Sequence, residues 1–339
     1  MKKWLGRAAL GIAALLLAAL AAGMALEQLA RARTPAQFPL AGRLVDIGGR
    51  RMQIDCRGQG SPTIVFEAGV GLWGSLNWST VQDGAAKIAR ACTYSRAGVM
   101  WSDPAPSGPR DADAIARDLH ALLRNAGERA PFVLVAHSMG SPYAVTYTQR
   151  FGTDVAGLVL VDPSHPDQTE RAEAVTHRPH SYLTASLKLM PFLTWTGLPR
   201  LLLSAPPQGA PQEMRDKAWY SPAPLSAAAA IRETEAIGLT FSEVKAAHDL
   251  GARPLYVLTA TASYSKPTLR ELQMSPQEGE QFQLVWKGMQ DDVATWSSAS
   301  QHRLVPQSHH NLQFEQPQLV IHAIASVVEA ARSHQPPKP

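Results

Sequence analysis

The chain has few charged side chains: they make up 18% of its 339 residues, and the net charge is only +4. The lysines and arginines are scattered, and no basic stripe interleaved with aromatic residues occurs. This distribution excludes the usual footprint of a nucleic-acid partner, so we expect none. The hydrophobic content of 45% predicts one large globular domain with a sizeable core.

Cysteine is also scarce, since Cys56 and Cys92 are the only two in the chain. Their positions and those of the histidines show no spacing typical of a metal site. We therefore expect neither a metal nor an organic cofactor.

One segment lacks charged and polar side chains altogether. Ala8–Leu26 is wholly apolar and follows Lys2, Lys3 and Arg7. At about 1.5 Å per residue it nearly spans a bilayer core. The preceding positive charges predict that the N-terminus lies in the cytoplasm. The apolar segment would then cross an inner membrane once as an α-helix, and the rest of the chain would lie outside the cytoplasm. A cleaved signal peptide, cut near Ala19–Ala21, is the alternative, and would leave a secreted or periplasmic protein.

The residues after the apolar stretch indicate where the N-terminal segment ends. Residues 1–33 form the expected membrane anchor or signal segment, and Arg31 and Arg33 at its end could contact lipid headgroups. Thr34–Pro39 predicts a short extended linker.

The most informative motif lies at residues 133–141, Val-Leu-Val-Ala-His-Ser-Met-Gly-Ser. An apolar strand ends in Ser138, small residues stand two positions before and after it, and a helical pattern follows. This is the layout of a nucleophile elbow, in which a sharp turn exposes the serine hydroxyl. Alone it is weak, because a strand end with a helix-capping serine looks similar.

Four further motifs lie in order around the serine: Pro62–Gly71 (PTIVFEAGVG), Tyr94–Asp103 (YSRAGVMWSD), Val161–Gln168 (VDPSHPDQ) and His310–Pro317 (HNLQFEQP). Together they resemble the α/β-hydrolase superfamily, near its bacterial esterase-like branch of anchored or exported serine hydrolases. The resemblance covers about residues 40–332. Ser95 departs from it, because most relatives carry aspartate there, at a position that usually buttresses a loop.

The resemblance implies a fold and a mechanism. The fold is a mostly parallel central sheet with helices on both faces. Ser138 would be the nucleophile, and His310, rather than its neighbour His309, would be the base. The backbone N–H groups of Val70 and Met139 would form the oxyanion hole.

The acid of the triad is harder to assign. Its commonest place follows the strand Pro254–Leu258, but Thr259–Leu269 contains no Asp or Glu. Asp162, at the carboxyl end of the preceding strand, is the first choice because function concentrates at that edge of the sheet. Asp167 is second, and Asp291 and Asp292 come third. His165 could line the pocket mouth or serve the structure.

In the same sheet the strands of Cys56 and Cys92 would be neighbours. A disulfide between them would suit an oxidising compartment, whereas two free buried thiols would suit the cytosol. Both alternatives remain open on the sequence.

The resemblance also divides the chain: residues 34–162 and 252–333 would form two halves of the core, and 163–251 a helical lid. The proline-rich, polar residues 334–339 predict a disordered tail. The lid is strongly apolar around residues 187–203, which predicts core packing, an acyl-binding wall or a face on the membrane.

We therefore expect a serine hydrolase that cleaves a small-molecule carboxylic ester with an apolar acyl group through an acyl-enzyme. The same triad could serve a thioesterase, a peptidase or a cofactor-free haloperoxidase. A non-catalytic binding protein on this fold is the alternative from another class.

Overall fold

The computed structural model describes residues 2–179, 181–183 and 185–333. The tail at 334–339, for which we predict disorder, lies outside the described residues.

Within these residues eight strands form one sheet, in the order β1-β2-β4-β3-β5-β6-β7-β8. The strands are β1 (Arg43–Asp46), β2 (Arg51–Arg57), β3 (Thr63–Glu67), β4 (Ala91–Ser95), β5 (Phe132–His137), β6 (Val155–Val161), β7 (Leu255–Ala260) and β8 (Ser300–Val305). Strand β2 is antiparallel to both β1 and β4, and all other pairs are parallel. The mostly parallel sheet that we predict is confirmed.

Helices cover both faces of the sheet. The helices outside the β6–β7 connection are α1 (Lys2–Gln37), α2 (Gln82–Ala85), α3 (Ala112–Ala126), α4 (Gly140–Arg150), α11 (Lys266–Glu271), α12 (Pro276–Ala294), α13 (Leu312–Glu315) and α14 (Pro317–Ser333). Short 3₁₀ helices occupy Gly74–Trp78 and Gly152–Asp154.

Strand β5 shows why the sheet has a hydrophobic cluster on each of its two faces. Its successive side chains point to opposite faces, as strand geometry requires. Leu134 and Ala136 belong to the cluster that includes residues of α3 and α4, whereas Val133 and Val135 belong to the cluster that includes α14. Because both faces are buried, the strand is apolar throughout.

The connection between β6 and β7 is built from short helices that pack over the carboxyl end of the sheet. They are α5 (Gln168–Thr176), α6 (Ala185–Leu189), α7 (Leu198–Leu203), α8 (Gln212–Lys217), α9 (Ala227–Glu235) and α10 (Ile237–Ala246), with 3₁₀ helices at Met190–Thr196, Ala218–Tyr220 and Ala223–Ser226. We call this connection the lid.

Helix α1 is long and apolar enough, by length and composition, to cross a membrane, although a signal sequence would pass the same test. The linker predicted at Thr34–Pro39 is wrong over its first four residues, because α1 continues to Gln37 with Pro35 inside it. The Thr34 hydroxyl donates to the Tyr220 carbonyl at 2.8 Å, and the Phe38 N–H closes the last turn on the Thr34 carbonyl. Contacts with the lid therefore hold the helix past the proline.

Cys56 and Cys92 form a disulfide. They are direct partners in the antiparallel pairing of β2 and β4, with their Cα atoms 4.0 Å apart. Glu128 is the third member of the one grouping of potential metal ligands in the described part of the chain. Its carboxylate binds Arg90 at 2.6 and 2.8 Å. Since all three donors are engaged, the grouping does not fit a metal ion.

Candidate active site

Ser138 stands at the sharp turn between β5 and α4. Its φ of 54° lies in the left-handed region, which non-glycine residues rarely adopt. Gly140 makes the turn possible, because a Cβ there would lie 2.6 Å from the Glu67 carbonyl oxygen. The turn thus requires a small residue two positions after Ser138. It places the Ser138 hydroxyl at the carboxyl edge of the sheet.

His310 lies in the loop between β8 and α13, and its ring joins two of the predicted residues. Its Nε2 is 2.9 Å from Ser138 Oγ, and its Nδ1 is 2.6 Å from Asp162 Oδ2. These distances allow a proton to pass from the serine to the imidazole while the carboxylate holds the ring.

Asp162 follows β6 and is 2% exposed. Its Oδ1 accepts hydrogen bonds from the Ala260 N–H and the Trp286 Nε1–H, both at 3.0 Å. One carboxylate oxygen is thereby fixed by two donors, which leaves the other aimed at His310. Sequence reasoning missed Trp286, because it comes from α12, 124 positions away.

The structure does not bring the alternative acids to the serine. Asp167 pairs with Lys245 at 2.8 Å, and this hydrogen bond is the main cause of its lowered pKa. Asp291 pairs with Lys287 at 2.7 Å. His309, the alternative base, is engaged with Glu315, whose Oε2 accepts the His309 backbone N–H at 2.8 Å.

His165 has a structural place. It is 1% exposed, and its Nδ1 accepts the Asp167 N–H at 3.0 Å. Its Nε2–H therefore donates to Asp292 Oδ2, at 2.8 Å, and ties the start of the lid to α12. Burial lowers the pKa of His165, and the hydrogen bond to Asp292 opposes this.

Val70 and Met139 flank Ser138 as the oxyanion prediction requires. Met139 is the first residue after the serine, and Val70 follows Gly69, where a Cβ would lie 3.1 Å from Ser138 Cβ. Within the described chain, neither the Val70 N–H nor the Met139 N–H has a protein acceptor. Both N–H groups are thus without a partner in the described protein, as an oxyanion role would need.

Two cavities meet at His310. The first, of about 280 Å³, contains Ser138 and is lined mainly by Gly69–Trp73, Asn77, His137, Ala205–Pro207 and Asn311. The second, of about 360 Å³, lies on the Asp162 side and is lined by residues that include Tyr264, Leu272, Phe282 and Trp286. We call the first of them the serine cavity.

His137 is a second residue that sequence reasoning missed. Its Nε2–H donates to the His310 carbonyl oxygen at 2.8 Å, and the two rings lie 4.6 Å apart, centroid to centroid. Burial and the nearby His310 charge lower the pKa of His137 to about 3, so its ring is neutral. It holds the loop that carries His310.

Arg96 is the third, and it holds the loop that follows β3, residues 68–71. This loop carries the predicted oxyanion donor Val70, and we call it the oxyanion loop. Its guanidinium donates to the carbonyl oxygens of Ala68 at 2.6 Å and Gly69 at 2.8 Å. It also forms buried ion pairs with Glu67 at 2.6 Å and with Glu233 of α9 at 2.8 Å. Burial raises the pKa of Glu67, while the Arg96 charge opposes the rise. One side chain thus connects β3, the oxyanion loop and the lid.

Ser95, the departure from the family pattern, lies next to this network. Its hydroxyl accepts the Ser75 N–H at 3.2 Å. A Cβ on Gly74 would lie only 2.5 Å from Ser95 Oγ. The serine therefore contacts the 3₁₀ helix Gly74–Trp78.

Residues 62–217 match the family model described as the alpha/beta hydrolase fold. The chain is similar in structure to an esterase from Thermogutta terrifontis, with a TM-score of 0.54 and 20% identity over 83% of this chain and 94% of that one. It is also similar to a meta-cleavage product hydrolase from Pseudomonas fluorescens, with a TM-score of 0.57 and 14% identity over 86% and 98%. At these identities the likeness concerns the fold.

A match at higher identity is shorter: 36% over 126 residues of the protein of Hormonema carpetanum named "Probable transporter efuK", covering 35% of this chain and 18% of that protein. The chain matches its curated relatives over less than half of their length. The sheet order, the family match and the structural neighbours show that this chain has the α/β-hydrolase fold.

Proposed function

We propose that this protein is a serine hydrolase that cleaves carboxylic esters through an acyl-enzyme. The observation that carries the proposal is the chain of contacts from Ser138 Oγ to His310 Nε2 (2.9 Å) and from His310 Nδ1 to Asp162 Oδ2 (2.6 Å). The three side chains follow the carboxyl ends of β5, β6 and β8, which lie at the same edge of the parallel sheet.

In the acylation step His310 Nε2 takes the Ser138 proton as the oxygen attacks the ester carbonyl. Asp162 stabilises the imidazolium that forms, and the N–H groups of Val70 and Met139 bind the negative oxygen. His310 then protonates the leaving alcohol. Water, activated by the same histidine, attacks the acyl-enzyme and releases the acid.

The nucleophile type narrows the chemistry. Epoxide hydrolases and haloalkane dehalogenases of this superfamily attack with aspartate, whereas Ser138 forms an acyl-enzyme. Thioesters, amides and peroxyacids could be handled by the same triad. The serine cavity is lined by apolar groups such as Val70, Leu72 and Trp73, which favours an apolar acyl group.

The location we propose is an inner membrane, with the catalytic domain outside the cytoplasm. Lys2, Lys3 and Arg7 precede the apolar stretch, and the Cys56–Cys92 disulfide suits an oxidising compartment. Cleavage after Ala21 would instead release the domain with the rest of α1 attached.

The test is fluorophosphonate labelling of the full chain in detergent, followed by mass spectrometry of the labelled peptide. An adduct on Ser138 that disappears in His310→Ala is the expected result. The matched control is His309→Ala, which changes the neighbouring histidine and should label normally. A folded protein that takes no label would overturn the proposal and favour a binding function.

A further inference from the structure

The lid carries an exposed apolar surface over α6, the following 3₁₀ helix and α7. We call this surface the lid face. Phe192 and Leu201, at its centre, are 74% and 66% exposed. The lid face consists of Leu189, Phe192, Trp195, Leu198, Leu201 and Leu202. So many large apolar side chains on one stretch indicate a contact with an apolar phase or partner.

The membrane helix α1 lies against the lid beside this surface. A Cβ on Gly23 would lie 2.3 Å from the Thr196 carbonyl oxygen, and one on Gly197 would lie 2.6 Å from the Gly23 carbonyl oxygen. The two backbones are therefore in direct contact, at the two residues that separate Trp195 from Leu198 of the lid face.

A buried ion pair fixes this contact. Glu27 and Arg200 are each 1% exposed, and their side chains meet at 2.6 and 3.1 Å. Arg31 adds a second bond to Glu27 at 2.7 Å. The remaining Arg200 donors bind lid carbonyl oxygens, of Trp219 at 2.5 Å and of Ser221 at 2.9 Å. The lid is thus held at a defined height along α1.

That height coincides with the edge of a bilayer. Every residue from Trp4 to Ala22 is exposed, and docking begins at Gly23. At 1.5 Å per residue the exposed part is about 28 Å long, close to the hydrocarbon thickness of a membrane. When α1 spans the bilayer, Gly23 lies at its surface, and so does the lid face around Gly197.

We propose that the lid face inserts into the surface of the phospholipid bilayer that α1 crosses. Aromatic and leucine side chains are the residues that such interfacial contacts use. The Trp195 indole N–H donates to the Phe192 carbonyl at 2.9 Å, so the ring can enter the apolar layer without leaving a donor unpaired.

This docking also indicates where the substrate comes from, a step that rests on the proposed function. Ala205–Pro207, which line the serine cavity, follow α7 after the single residue Ser204. The Trp73 indole N–H binds the Ala205 carbonyl at 3.2 Å and fixes this rim. Since the rim adjoins the lid face, the cavity takes an ester carried by the bilayer.

The docking is tested with the full chain in phosphatidylcholine–phosphatidylglycerol nanodiscs. Both native cysteines are in the disulfide. Phe192→Cys and the control Leu284→Cys each add one free thiol, at positions of matched exposure, 74% and 72%. We expect a water-soluble maleimide to react about 10-fold more slowly at position 192. A bimane attached there should be quenched by nitroxide-labelled lipid.

Equal reaction rates at the two positions would overturn the docking. So would slow reaction at 192 without lipid quenching, because a second protein copy would then cover the lid face.

The source of substrate is tested with Leu201→Asp and the control Leu284→Asp. A charge at the lid face should lower hydrolysis of 4-nitrophenyl palmitate dissolved in the nanodisc by about 10-fold. Hydrolysis of water-soluble 4-nitrophenyl acetate should not change. Equal palmitate rates in both variants would refute bilayer access. If the wild-type protein cleaves neither ester, the proposed function fails, and the thiol experiment still decides the docking.

Discussion

The ring of His137 hydrogen-bonds the backbone of His310, at 2.8 Å. Strand β5, which ends next to Ser138, therefore also holds the loop that carries His310. His137 contacts no reacting atom through this bond, so we regard it as a positioning residue. Its effect on catalysis should pass entirely through the placement of His310.

Replacing the positioning histidine should separate catalysis from folding. His137→Phe removes the donor to the His310 carbonyl, and we expect kcat to fall about 10-fold while KM changes little. His137→Gln, which keeps a donor, should recover part of the loss. The measurement is steady-state hydrolysis of a soluble ester, with a circular dichroism spectrum to verify folding. Equal kcat in all three proteins would contradict the role.

The same residue predicts a pH dependence of stability. Burial lowers the pKa of His137 to about 3, against about 6.5 when unfolded. Between these values the unfolded chain binds a proton that the folded chain does not. Stability is therefore present above pH 6.5 and lost as the pH falls toward 3, by up to about 1.4 kcal/mol per pH unit. Denaturant unfolding of wild type should show this slope, and His137→Phe should show less of it.

Asp162 should be essential for orienting the base. In Asp162→Asn the amide cannot stabilise the imidazolium, and we expect kcat to fall by about 10³- to 10⁴-fold. Asp167→Asn is the matched control, because its carboxylate pairs with Lys245 in the lid. Single-turnover kinetics with a soluble ester would show the difference. Comparable activity in the two variants would remove Asp162 from the triad.

Arg96 should matter through the oxyanion loop that it holds. Arg96→Lys keeps the charge but cannot bind the Ala68 and Gly69 carbonyls together with Glu233. We expect kcat to fall by about 10-fold or more, with a smaller change in KM, because the loop is displaced from the transition state.

Arg232→Lys is the control for this variant. Arg232 also binds backbone carbonyl oxygens, those of Ala105 at 3.2 Å and Gly108 at 2.6 Å, but it does not hold the oxyanion loop. Its kcat should stay near wild type. An equal loss in both arginine variants would indicate a general effect on packing.

The buried pair between α1 and the lid should carry stability. Glu27→Ala leaves Arg200 buried without its carboxylate, and we expect a loss of about 3 kcal/mol or more. Glu213→Ala breaks an exposed pair with Lys217 and should lower the stability far less. Thermal unfolding of the full chain in detergent compares them. The double variant Glu27→Leu, Arg200→Leu should recover most of the loss.

Ser138 and Asp162 could be predicted because each follows a strand whose apolar run is visible in the sequence. His310 could be predicted only from the family motif His-Asn-Leu-Gln, because β8 is not an apolar run. The absence of an acid after β7 left the end of β6 as the first choice. Trp286, His137 and Glu233 could not be assigned in this way. Their roles depend on side-chain directions and on contacts between distant segments, for which no local pattern exists.

In the N-terminal helix a local sequence signal led to a wrong prediction. Pro35 is a local signal for the end of a helix, and it predicts a linker at Thr34. A hydrogen bond that Thr34 donates to the Tyr220 carbonyl of the lid, 186 positions away, holds the helix through the proline. Local preference is worth about a few kcal/mol at most, so tertiary contacts of this kind outweigh it.

The φ of 54° at Ser138 implies that the protein gives up stability for activity. A left-handed backbone at a residue with a Cβ costs about 1–2 kcal/mol, whereas glycine adopts it freely. Ser138→Gly should therefore unfold at a higher temperature than Ser138→Ala, although neither has a nucleophile. The backbone conformation of Ser138 thus lowers the stability of the folded protein, and selection for stability alone would place glycine at this position.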